Sequence, residues 1–107
     1  MKNEKEVKAL KTVPREKAFY FFTSIGNYTG ESASSLAEFM EKVSKVNAKS
    51  LEFHFYRGDF EKWISEVLQD EELSEELRKM RGLNLVGESL RSSLYAAILA
   101  HIKRLKM

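Results

Sequence analysis

Cysteine is absent from this chain, which excludes disulfides and thiolate chemistry. Proline occurs once, at Pro14, so helix interiors go uninterrupted after it. Glutamine also occurs once, at Gln69, while Lys and Glu abound. Thermophile proteins share that bias, and a thermophilic source is expected. No run approaches the roughly 18 apolar residues of a membrane span. The opening MKNEKEVKALK lacks the apolar core of a signal peptide. A cytoplasmic protein without a membrane partner is the expectation. Charge of one sign is also not in excess: 18 basic against 16 acidic side chains, net +2. A dedicated nucleic-acid binder usually carries a marked basic surplus. His54 and His101 stand far apart with no cysteine near either, so no ligand spacing argues for a metal. Neither metal nor cofactor is expected.

The 107 residues suffice for one domain with one core. Its large residues concentrate between Ser50 and Leu68, SLEFHFYRGDFEKWISEVL. Gly58 suits the left-handed position that ends a helix. Asp59 beside it suits the cap of the next helix, its carboxylate accepting orphan N–H groups. Phe60, Trp63, Ile64, Val67 and Leu68 then mark one helical stripe, which predicts a helix over 59–69. The half before Gly58 reads two ways. Leu51, His54 and Phe55 make a helical face with Asn47 or Ser50 as cap. Leu51, Phe53 and Phe55 also alternate with polar neighbours, as in a strand.

Outside that stretch, residues 1–14 read as a mobile basic arm or frayed helix. The run AFYFFTSI at 18–25 is apolar and short, so it is expected to be extended. GNYTGESASS at 26–35 reads as a turn-rich loop. A helix follows from about Ser35 to Val46, where Ser35 and Glu38 have capping-box spacing. Asp70 caps another, with Leu73, Leu77 and Met80 as its stripe and Gly82 to close it. The last helix runs from about Glu88 to Leu105. The pattern predicts a mainly α single domain over 15–107, four or five helices with a short extended N-terminal segment. The alternative is α+β, with two short strands at 18–25 and 50–56 running parallel across a helical crossover. The expected core holds Phe19, Phe21, Leu36, Phe39, Leu51, Phe55, Phe60, Trp63, Ile64, Leu73, Leu77, Leu94 and Ile98.

A family pattern runs through these segments: Phe19 and Phe21, then Ser35, Leu36, Glu38 and Phe39, then His54, then Asp59, Phe60, Trp63 and Ile64, then Asp70 and Leu73. It resembles a small prokaryotic domain family of unknown function, common in archaea. The Asp-Phe-x-x-Trp part is its most specific piece. The resemblance covers roughly 17–80 and leaves out the last helix. It implies a small, mainly helical domain and no activity.

His54, Arg57 and Asp59 lie close enough in sequence for proton transfer, yet no nucleophile or second acid is tied to them. With Trp63 they form a ligand-binding or structural cluster, and no catalytic residue is assigned. Gly26-Asn-Tyr-Thr-Gly-Glu-Ser fails as a phosphate loop, because Glu31 stands where a lysine is needed. Arg57-Gly58-Asp59 reads as a helix stop and start rather than an adhesion motif. Charge is uneven: residues 59–81 carry four basic and eight acidic side chains, residues 82–107 four and one. That contrast reads as internal pairing or as a docking surface. The reading is a non-enzymatic protein-interaction module. Its partner is a protein or a second copy, docking on Leu94, Ala97, Ile98, His101, Ile102 and Leu105. The alternative is weak, salt-sensitive nucleic-acid binding by the basic N- and C-terminal segments.

Overall fold

The run AFYFF becomes a strand because its alternate rings have a core to enter. In the computed structural model, which describes residues 10–107, Phe19–Ser24 forms β1. Phe19 and Phe21 are buried while Tyr20 and Phe22 are partly exposed. The chain turns at Gly26, whose φ of 83° favours glycine, and returns as β2, Asn27–Ala33. The pair is antiparallel, with Phe19 opposite Ala33, Tyr20 opposite Ser32 and Phe22 opposite Tyr28. The turn-rich loop expected over 26–35 is therefore largely a strand. The hydroxyls that read as turn formers work across the hairpin instead. Thr29 Oγ1 donates to the Phe21 carbonyl at 2.8 Å and accepts from the Glu31 N–H at 3.1 Å.

Three of the following helices start on a side-chain cap legible in the sequence. Helix α1, Leu36–Val43, begins at Ser35, whose Oγ accepts the Glu38 N–H at 3.1 Å. The Glu38 carboxylate reaches back to the Ser34 N–H at 2.7 Å. Helix α2, Ala48–Arg57, begins at Asn47, whose Oδ1 accepts the Lys49 N–H at 2.8 Å. Residues 50–56 are thus helix, and the parallel crossover gives way to a hairpin. Gly58, at φ 81°, ends α2 and joins it directly to α3, Asp59–Glu66, which stops short of the expected 69. Helix α4, Glu71–Met80, is capped by Asp70 Oδ1, which accepts the Leu73 N–H at 3.1 Å. Gly82, expected to close α4, lies inside a 3-10 turn, Arg81–Leu83, and Asn84 takes the left-handed position. Helix α5, Gly87–Leu105, completes the chain.

The hairpin packs on α1 and α2, α3 packs on α4, and α5 packs on α1, α2 and α4. Every core residue expected from the sequence is buried. The centre is aromatic. The Phe39 ring meets Phe19 at 5.7 Å, Phe60 at 5.0 Å and Trp63 at 5.4 Å between centroids. The arm expected over 1–14 lies outside the described residues for 1–9. Its last part is tied down: the Val13 N–H donates to the Ser34 carbonyl at 2.7 Å, and Val13 packs on the core. Among the described residues no helix is long and apolar enough to cross a membrane.

The α2–α3 junction generates a prediction. A Cβ at Gly58 would sit 3.2 Å from Arg81 Nη1, which is held by Glu61 at 2.5 Å, and it would sit on a left-handed backbone. Gly58→Ala is expected to cost about 1 kcal/mol or more in urea denaturation.

Candidate functional site

His54 sits in the last turn of α2, facing β1. Its Nδ1 lies 2.8 Å from Asp59 Oδ2. Its Nε2 lies 2.8 Å from the backbone nitrogen of Phe22. An amide N–H can only donate, so Nε2 must present a lone pair. The ring proton is then on Nδ1, donated to Asp59, and the imidazole is neutral. Burial drives its pKa below the ordinary histidine value. The hydrogen bond and charge of Asp59 pull the other way, and the Arg57 cation adds to the lowering. The ring packs against Phe19 at 4.8 Å, Phe53 at 4.9 Å and Phe60 at 5.6 Å.

Asp59 is not the cap its position suggested. It is the first residue of α3 and makes no capping bond to the backbone. Its Oδ2 instead takes Arg57 Nε at 3.2 Å as well as His54. The Arg57 guanidinium lies 4.7 Å above the Phe53 ring, half-exposed. Trp63 stands apart from this trio. Its indole N–H donates to the Lys17 carbonyl at 2.8 Å, tying down the chain where it enters β1. Trp63 and His54 share only a common neighbour, Phe19, which is 5.8 Å from the indole. The arrangement brings three of the four cluster residues together. It leaves no free lone pair on His54, so proton abstraction there requires the Phe22 bond to break first.

A second histidine–aspartate pair was not read from the sequence. His101 Nε2 lies 2.6 Å from Asp70 Oδ2, with both side chains buried. Arg104 Nη2 donates to His101 Nδ1 at 3.1 Å and lies 3.5 Å from both Glu72 and Glu76. The signal available was a histidine on an apolar helix face, which needs a buried polar partner. The surface expected for docking a second chain is corrected here. Leu94, Ile98, His101 and Ile102 are buried within this chain, and Ala97 and Leu105 are partly buried against the same core. A helix that packs on three others needs that wide face for itself. Arg104 is the point where the basic end meets the acidic middle, through Glu72 and Glu76.

Two open cavities flank the hairpin. One, about 580 Å³, is polar and lined by Arg15, Tyr20, Tyr28, Ser34, Glu38 and Lys42 among others. Several of its groups are already engaged: the Tyr20 hydroxyl by the Arg15 carbonyl at 2.7 Å, Lys42 by Glu31 at 2.6 Å. The other, about 360 Å³, is apolar and runs between the tip of β1 and α2. Phe19, Phe22, Ile25 and Phe53 line it, with His54, Arg57 and Asp59 at its wall. Ile25 is 83% exposed at the tip of the hairpin. Among the described residues no three His, Asp or Glu side chains are grouped to hold a metal ion.

Residues 14–107 match the model of a family described as "Family of unknown function (DUF5752)". The chain belongs to that family. The match takes in α5, which the sequence pattern had left out. No curated protein and no solved structure matches the chain.

The Asp70–His101 pair is a stability element with a measurable coupling. Asp70→Ala removes a helix cap and strands a buried imidazole N–H, and is expected to cost roughly 2–4 kcal/mol. In a double-mutant cycle with His101→Ala, the two losses are expected to fall short of additivity by about 1 kcal/mol or more. Additive losses would show that the pair is not coupled.

Proposed function

We propose that this member of the family is a non-enzymatic protein-interaction module that takes its partner in the apolar cleft between the β1 tip and α2. The observation that carries the reading is Ile25. An isoleucine 83% exposed beside an aromatic-lined cleft is apolar surface that no described residue covers. Phe22 and Phe53 extend that surface, and the Arg57–Asp59 pair gives it a polar rim. The engagement of both His54 nitrogens supports a binding role over an acid–base one.

The basic C-terminal segment supports nucleic-acid binding less than composition suggests. Arg91 is held by Glu88 at 2.8 Å and by the Val43 carbonyl at 2.8 Å, and Arg104 by His101. In that segment Lys103 on α5 and Lys106 just after it remain exposed, fewer charges than a phosphate-tracking surface uses. Our reading also takes the domain as cytoplasmic and as archaeal and thermophilic in origin. The archaeal part rests on the family resemblance, the thermophilic part on the Lys- and Glu-rich, cysteine-free composition, and the cytoplasmic part on the absence of an apolar leader-like or membrane-length run in the sequence.

Selection from a random-peptide display library tests the cleft. Wild-type protein is expected to enrich apolar peptides, and Ile25→Asp is expected to bind them about tenfold or more weakly. The variant should keep the parent melting temperature, since the side chain is exposed. No enrichment, or equal binding by both proteins, would overturn the reading.

A further inference from the structure

We infer that the contact between Phe22 and His54 is an acid-opened latch, which releases the β1–β2 hairpin from α2 when His54 takes up a proton. The inference rests on which atoms face each other. Nε2 accepts the Phe22 N–H at 2.8 Å, and Nδ1 is already committed to Asp59 at 2.8 Å. A second ring proton can go only to Nε2. That turns the acceptor into a donor pointed at another donor, and the contact becomes repulsive. The Nδ1 bond survives protonation, because a cation beside the Asp59 carboxylate is favourable. Protonation therefore breaks one side of the ring's attachment and strengthens the other. The ring stays with the helices and the strand is let go.

The surroundings of His54 leave few competing charges. From β1 it meets the rings of Phe19, Phe21 and Phe22. From α3 it meets Asp59 and the Phe60 ring. From its own helix it meets the Phe53 ring and feels the Arg57 cation. Apolar rings and Arg57 favour the neutral form, and Asp59 alone favours the charged one. In the released state the ring loses its burial under β1 but keeps Asp59, so it takes up a proton more readily than in the latched state. In the latched state it takes a proton less readily, burial being the largest cause. The latch is thus at full strength above the released-state value and is lost as pH falls toward the lower latched-state value. Over that window opening gains up to about tenfold per pH unit.

Amide hydrogen exchange at Phe22, corrected for the intrinsic pH dependence of exchange, reads this directly. Protection is expected to fall several-fold to about tenfold per unit between pH 6.5 and 5, while α5 amides stay level. His54→Gln keeps an acceptor without a titrating group, so its Phe22 protection is expected not to vary over the same range. If that variant does not fold, Asp59→Asn decides. Removing the carboxylate disfavours the charged ring, and the transition should move to lower pH. Flat protection in the wild type, a Gln variant that titrates as the wild type does, or an Asn variant with an unmoved transition would each overturn the inference.

Discussion

The Phe22 amide proton is the point on which the two halves of this fold meet. It belongs to a strand of a two-stranded sheet, and it is donated to a helix side chain rather than to another strand. A hairpin alone is marginal in water and leaves backbone groups unpaired along its edges. His54 fills that need from α2, and Asp59 fixes which nitrogen of the ring is free to do so. One aspartate at the start of α3 thereby sets the tautomer that lets α2 hold β1. Trp63 repeats the device one step earlier in the chain, at the Lys17 carbonyl.

Magnitudes separate what stabilises the fold from what specifies it. Aromatic pairs contribute about 0.5–1.5 kcal/mol each beyond burial, and Phe19, Phe21, Phe39, Phe60 and Trp63 make many such pairs. A hydrogen bond nets about 1 kcal/mol. Packing therefore dominates stability. The His54 and Trp63 bonds decide where the strand sits, because apolar rings tolerate small slips and a directed N–H bond does not.

The helices were legible because their signals are local. Ser35, Asn47, Gly58 and Asp70 mark boundaries within a few residues of the backbone they satisfy. Strand β2 was not legible. In NYTGESA only Ala33 is buried, so no alternation announces it, and its form depends on pairing with β1. Asp59 was misread for the converse reason. A cap was the nearest use for its carboxylate, but His54 and Arg57 hold it. The apolar face of α5 was visible, yet sequence could not say that its partners lie in the same chain. The cleft at Ile25 depended on that unread hairpin, so it was hidden with it.

The central claim is that a neutral His54 accepts the Phe22 amide. Scalar coupling through the hydrogen bond tests it without perturbing the protein. At neutral pH, ¹⁵N-labelled protein should show a resolvable coupling between the Phe22 amide nitrogen and His54 Nε2, with Nδ1 carrying the ring proton. A protonated Nε2 with no coupling to Phe22 would contradict the account.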